Sequence, residues 1–433
     1  MNSPQHLHAV EKFLSEEPSV EYFRFQWVDF SGVAHARVIP KAHCLSLAAS
    51  GGTLSLAQNC LITPIATAPD CFSADLERWA MHPDWTSLRI CGFRPNHASV
   101  MCFLKKVEPH CENGFAKCPR GALQRALDAF GDSTQILLGY EIEFVLLGED
   151  LELEKSLDRV AGFATMAGLR GFRVRLMEDI CAALDRSGVG VHDFHTEIPD
   201  QLEITLLPMS PMQAVDNLYL AQEAIRTVAI SYKVKASLAP RPVFNGPQNG
   251  LHVHLSLNPL PANAKSFLQA LLENIKALCA FGMAHVDSYV RVMGDGAGCF
   301  IGWGTENRDL PIRRITDDHW ELRFSDATAN QYLFMAAVIS TGLEGMKNNV
   351  QLQYKDCTEV RRNWTKEKLK DLNMSDMPKR LEDTIDAAMD SEILSKNMGK
   401  EVLTSYVEVK KKEVEKFEAV SDDERRKRYI AFF

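Results

Sequence analysis

The stretch Gly139-Tyr140-Glu141-Ile142-Glu143-Phe144 decides how the rest of the chain is read. Leu137 and Leu138 precede it and Val145, Leu146 and Leu147 follow, so it reads as a strand with two carboxylates set into an apolar run. Residues two apart on a strand share a face, so Glu141 and Glu143 stand side by side. Adjacent carboxylates repel and are costly to desolvate, and a cation between them removes both penalties. A strand with one solvated face explains a single such pair equally well. The same device recurs downstream, and the recurrence decides for the cation.

Composition narrows the classes. The chain has 433 residues, 46% hydrophobic and 24% charged, which is ordinary for a soluble globular protein and long enough for two domains. Its 48 basic and 57 acidic residues give a net charge of −9, which argues against generic nucleic-acid binding. No apolar segment of the secretory kind follows Met1. The longest stretch free of charged residues, 42–69, is broken by Gly51-Gly52 and Pro64 and is too polar to span a bilayer. The expectation is a cytoplasmic protein that binds neither membrane nor nucleic acid. Eleven cysteines lack any Cys-x-x-Cys pair, so they read as reduced packing residues, Cys181 and Cys279 among them, and not as a zinc site.

A β-rich domain is expected over 1–107. It holds a short helix over 9–15, a hairpin of strands 22–29 and 34–39 around Ser31-Gly32, and further strands at 75–79 and 88–93. Residues 108–118 read as a linker. The larger domain, 119–433, then carries helical patterns over 122–130, 161–166, 176–186, 214–232, 267–286 and 331–346. Strands are expected at 202–206, 251–257 and 320–324. From 381 onward the pattern is helical and highly charged. Its runs Lys410-Lys411-Lys412 and Arg425-Arg426-Lys427-Arg428 read as a solvated helix face.

Four segments project acidic or imidazole groups: Glu141/Glu143, Glu203 with Glu197 before it, His252/His254, and Glu321 beside Arg323. Five carboxylates with one or two imidazoles suit Mg2+ or Mn2+, and their number suggests more than one ion. Arg291, Arg308, Arg313, Arg314 and Arg323 are interleaved with them. Arginines beside divalent cations meet the needs of a transferring phosphoryl group, whose charge spreads over its oxygens. No Gly-x-x-x-x-Gly-Lys-Ser/Thr loop is present, so nucleotide binding is not of the P-loop kind.

As an ordered set, several motifs resemble those of glutamine synthetase, type I, over nearly the whole chain. They are Glu141-Ile142-Glu143-Phe144, Asn249-Gly250-Leu251-His252-Val253-His254-Leu255-Ser256-Leu257, Asn307-Arg308 with Arg313, and Glu321-Leu322-Arg323-Phe324. The run Trp303-Gly304-Thr305-Glu306-Asn307-Arg308 with His319-Trp320-Glu321 is most similar to the fungal FluG-type branch. Members of that branch typically add an amidohydrolase domain, for which these residues leave no room.

The resemblance implies an α+β fold. An N-terminal β-grasp domain precedes a catalytic domain whose curved antiparallel sheet is backed by helices, with 378–433 as its C-terminal helices. It implies Glu143, Glu197 and Glu203 on one metal and Glu141, His252 and Glu321 on the other. His254 and Ser256 would lie along ATP and Arg313 by its phosphates. Arg308 would face the transferring phosphoryl group, while Arg291 and Arg323 would hold an amino-acid carboxylate. The implied assembly is a ring homo-oligomer, a decamer or dodecamer, with each site shared between neighbours.

Departures from the family pattern bear on the substrate. The flap that carries a glutamate in the family reads Gly294-Asp295-Gly296-Ala297 here, and 55–64 lacks the acid that completes an ammonium site. His319 stands where an arginine is usual, and the Glu197–Glu203 spacing is one residue shorter. The altered Gly-Ser run before 251–257 affects the backbone contacts to glutamate, and no adenylylation loop is recognisable. Ammonium needs carboxylates to bind and deprotonate it. The expectation is therefore an ATP-dependent carboxylate–amine ligase that takes glutamate or a similar acid and an organic amine. The alternatives are a non-catalytic regulatory relative and glutamine synthetase proper.

Overall fold

The computed structural model describes residues 3–57, 59–65, 78–107, 115–154, 162–293 and 298–433. After an opening helix, Ser3–Glu16, six strands form the N-terminal sheet: β1 (Tyr22–Val28), β2 (Ala34–Pro40), β3 (Leu54–Ala57), β4 (Arg78–Pro83), β5 (Arg89–Ile90) and β6 (His97–Lys106). Their order is β2-β1-β6-β4-β3, with β5 also on β6. The central β1–β6 pair is parallel and its flanking partners antiparallel, as the expected β-grasp requires. The strand expected at 88–93 shortens to β5, because the chain turns back from Cys91 to His97. Residues 75–77, 108–114 and 294–297 lie outside the described residues, and with them part of one expected strand, most of the linker and the flap run.

A second, eight-stranded sheet holds most of the rest. In chain order come β7 (Gln135–Leu147), β8 (Val191–Thr196), β9 (Gln201–Leu206), β10 (Lys235–Ser237), β11 (Leu251–Asn258), β12 (Phe300–Ile301), β13 (Trp303–Thr305), β14 (Ile312–Thr316), β15 (His319–Leu322) and β16 (Ser375–Asp376). The order β13-β14-β15-β11-β7-β9-β8, with β10 also on β7, is antiparallel apart from the β13–β14 edge pair. β12 and β16 form a separate ribbon. On β7 the alternation divides the residues as read: Leu138, Tyr140, Ile142 and Phe144 are buried in the core, while Glu141 keeps some exposure. The helices Pro211–Ser231 and Gln331–Lys347 belong to the same core, the second almost entirely buried.

Three helical expectations are corrected. The run 267–286 is not continuous but divides into Ala264–Glu273, Ile275–Gly282 and Val286–Met293. Asn274 leaves helical geometry at φ −103°, ψ 8°, its amide donating to the Ala270 carbonyl at 2.9 Å, as asparagine does when it competes with the backbone. The run 161–166 forms no α-helix among its described residues, since Gly162 and Ala164 have positive φ. Only a short turn, Met166–Leu169, follows.

The third correction concerns the charged C-terminal helices. Lys411, Lys412 and Lys427 are exposed, but Lys410, Glu413, Arg425 and Arg426 are buried. Lys410 Nζ lies 2.8 Å from Glu413 Oε2 and 3.2 Å from His285 Nε2. The other Glu413 oxygen accepts from Ser31 Oγ at 2.6 Å and from the Ile65 amide at 2.9 Å. The β1–β2 turn is thereby fixed to the larger part of the molecule. Gly32, at φ +88°, sits so close that a Cβ would meet the Thr328 carbonyl at 2.2 Å, and Asn330 donates to the Asp29 carbonyl at 2.7 Å.

Burial, reinforced by the Lys410 charge, pushes the His285 imidazole down to about 3. The groups facing it are Lys410, Glu413 and the rings of Phe417, Tyr429 and Phe433. Below about pH 6.5 the unfolded histidine takes up a proton that the folded one refuses. Its contribution is therefore complete above about pH 6.5 and is lost toward pH 3, by up to ~1.4 kcal/mol per pH unit. Urea denaturation at pH 7, 6 and 5 should show this slope, and His285→Gln should flatten it by about one proton. Equal slopes in the two proteins would contradict the neutral buried histidine.

No helix of the described residues is long and apolar enough to cross a membrane. The described cysteines are free thiols, most of them buried, as read from their spacing.

Candidate active site

Strand register assembles the charged groups. Across β7 and β11, Glu141 pairs with His252; across β7 and β9, Glu143 pairs with Glu203. Across β8 and β9, His195 pairs with Glu203. On the other side His254 of β11 pairs with Glu321 of β15, and Glu321 with Arg313 of β14. Six neighbouring strands thus contribute to one row, because every site residue takes the face its alternation assigns.

Distances follow from this register. His252 Nδ1 is 3.0 Å from Glu141 Oε2 and 3.3 Å from Glu321 Oε1, and its Nε2 is 3.7 Å from Glu143 Oε1. His254 Nε2 lies 2.8 Å from Glu141 Oε1, and its Nδ1 lies 2.7 Å from His319 Nε2. Glu143 Oε2 accepts from Gln201 Nε2 at 2.9 Å and from the Gly250 amide at 2.6 Å. Gly250 has no space for a side chain, since a Cβ would lie 2.7 Å from His252 Nε2 and 3.3 Å from Arg291 Nη1. Glu197 reaches the site across the tight 197–200 connection, where Gln201 donates back to the Ile198 carbonyl and Asp200 takes a positive φ.

The expected residues are largely brought together. Glu141, Glu197, Glu203, His254, Ser256 and Arg308 line a cleft of about 470 Å3, with His319 beside His254. Glu321 is fully buried and contacts both Arg313 and Arg323. Arg313 also bonds Glu306. Arg291 is buried behind Gly250 and donates to the Ser325 carbonyl at 3.1 Å, so it does not line the cleft.

Charge is unevenly balanced in the row. Burial and then the carboxylates of Glu141, Glu143, Glu197 and Glu321 push Glu203 up to about 10. For Glu141 burial acts upward, but hydrogen bonds from His252 and His254 outweigh it and hold the group below the usual carboxylate range. Glu321 is also held low: burial opposes its charge, and Arg323 and His252 overcome that. Burial and the neighbouring His254 lower His319. Donor atoms gather within 4.8 Å of one another in two groups, Glu141/His254/Glu321 and His195/Glu197/Glu203. A carboxylate driven to retain its proton by four neighbours is a place where a divalent cation relieves repulsion, and this donor set fits Mg2+ or Mn2+.

His195 was not among the residues singled out from sequence. A signal existed: Asp193, His195 and Glu197 alternate with the same period of two as Glu141 and Glu143. The hydrogen bond to Glu197 raises the His195 pKa, and the Phe163 ring stands edge-on to it at 4.5 Å.

The family model described as glutamine synthetase, catalytic domain, matches residues 116–429. The chain belongs to the glutamine synthetase family. It is 28% identical over 433 residues to protein FluG of Emericella nidulans, covering 96% of this chain and 49% of FluG. It thus spans about half the length of that relative. Glutamine synthetase of Clostridium saccharobutylicum is 27% identical over 354 residues, covering 76% of this chain and 79% of the relative. A solved structure of apo GmaS without ligand superposes with a TM-score of 0.81 at 23% identity, covering 95% of this chain and 97% of that one. A crystal structure of a novel glutamine synthase homologue gives a TM-score of 0.77 at 24% identity, covering 96% and 99%. These likenesses show the same α+β fold, and membership places the chain in a ligase family.

Proposed function

We propose that this member of the glutamine synthetase family is an ATP-dependent carboxylate–amine ligase that joins glutamate, or a similar acid, to an organic amine. The observation that carries the reading is the row of carboxylates and imidazoles on one sheet face, opening into a cleft that Arg308 also lines. In this reading Glu143, Glu197 and Glu203 hold one divalent ion, and Glu141, His252 and Glu321 the other. The ions, when bound, neutralise the phosphates and polarise the transferring phosphoryl group. His254, Ser256 and Arg313 orient ATP, and Arg308 faces the group in transit. Arg323 holds the substrate's α-carboxylate, while Arg291, buried and bonded to the Ser325 carbonyl, adds positive charge from behind Gly250. A side-chain carboxylate oxygen of the acid attacks the γ-phosphorus and ADP leaves. The amine nitrogen then displaces phosphate from the acyl phosphate, forms the amide bond and loses a proton.

The preference for an organic amine rests on Ala297 in the flap run and on 55–64 having no acid. An alkyl amine entering that space gains about 0.8 kcal/mol per buried methylene, so three or four carbons offset about 2–3 kcal/mol of lost ammonium contacts. The same reading takes 1–107 as the β-grasp domain, 108–118 as the linker and 119–433 as the catalytic domain, assembled into a ring of copies. Purified protein with ATP, Mg2+ or Mn2+ and glutamate should release phosphate faster with at least one primary amine than with ammonium at equal free-base concentration. Ammonium matching every amine would favour glutamine synthetase proper. No turnover with any acceptor would favour a regulatory relative, and a monomeric mass by light scattering would count against shared sites.

A further inference from the structure

We infer that His195 supplies a nitrogen ligand to the ion held by Glu197 and Glu203, which makes that site selective for Mn2+ over Mg2+. The inference rests on the two-ion reading above and deepens it. Adjacent ligands on an octahedral ion lie about 3.0 Å apart when each is about 2.1 Å from the metal. His195 Nε2 is 3.2 Å from Glu197 Oε1 and 3.6 Å from Glu203 Oε1, separations that a shared ion would close by a few tenths of an ångström.

The far side of the ring is arranged for this role. His195 Nδ1 faces Asp193 Oδ1 at 3.6 Å. A carboxylate on that side favours the tautomer with its proton on Nδ1, leaving the Nε2 lone pair for the metal. Phe163 packs edge-on against the imidazole and limits its rotation. Glu143 is less free to serve, because its Oε2 already accepts from Gln201 and Gly250 and only Oε1 remains. An imidazole donor suits Mn2+ better than the hard, oxygen-seeking Mg2+.

The test is metal binding by the full chain without substrates. Calorimetric titration with Mn2+ should resolve two sites. His195→Gln should weaken one of them roughly tenfold to a hundredfold and leave the other unchanged. The same variant should lose much less affinity for Mg2+, and its Mn2+ electron-spin-echo spectrum should lose part of the 14N modulation. A purely structural role for His195 would weaken both metals alike and leave the nitrogen signal of the bound ion intact. His43→Gln, a change at an exposed histidine on the Lys41–Ser50 helix, should match the wild type. Two Mn2+ sites unaffected by His195→Gln would overturn this inference and leave the two-ion reading standing. Absence of Mn2+ binding in the wild type would overturn both.

Discussion

Replacing Glu321 with alanine is expected to lower ATP-dependent phosphate release by about a thousandfold, the equivalent of about 4 kcal/mol of transition-state stabilisation. Glu321 is fully buried, and its oxygens meet Arg313 on one side and Arg323 and His252 on the other. Its removal takes away one carboxylate of the proposed two-ion site and also frees two guanidiniums that it contacts. The fold should persist, since Arg313 retains Glu306 and strand β15 keeps its pairing to β11 and β14. Phosphate release, Mn2+ affinity and circular dichroism measured on one preparation separate these effects. Full turnover in Glu321→Ala would remove the basis for placing metal-assisted phosphoryl transfer in this cleft.

The largest effect on stability is expected far from the cleft. Lys410→Met leaves the Glu413 carboxylate buried without its cation, a change that costs about 3–5 kcal/mol. Burial already opposes the Glu413 charge, and Lys410 is the foremost group that holds the carboxyl below its usual range. The double variant Lys410→Met/Glu413→Gln should recover most of the loss. Glutamine retains a carbonyl for Ser31 and Ile65, and an uncharged pair bears a far smaller desolvation penalty. Guanidinium denaturation of the single and double variants measures both quantities. A single variant within about 1 kcal/mol of the wild type would show that the pair is solvated after all.

The same network marks where sequence reading reached its limit. Period-two alternation identified β7, β9 and β11 and the faces of their residues, because each strand has one apolar side and one charged side. It could not tell that Lys410 and Glu413 point inward, since a charged helix shows the same letters whether its partners are water or His285 and Ser31. That information lies in contacts hundreds of residues apart. The break at Asn274 was hidden for a related reason, as apolar residues continue on either side of it. His195 was legible in principle. Arg291 was named among the interleaved arginines and took its role from the resemblance, and only the structure shows that it and His252 crowd the same glycine, Gly250.

The two-faced strands also set what descent and engineering can change. Tyr140, Ile142 and Phe144 fill the core while Glu141 and Glu143 take the opposite face, and β9 and β11 divide their residues in the same way. Substitutions on either face can accumulate one at a time. An insertion or deletion of a single residue inside such a strand would turn the core outward and the charged groups inward at once. Length changes are tolerated only in connections such as 197–200, which lies between β8 and β9. Alignments of this chain are best anchored on its strands, and chimaeras with its relatives are best joined between them.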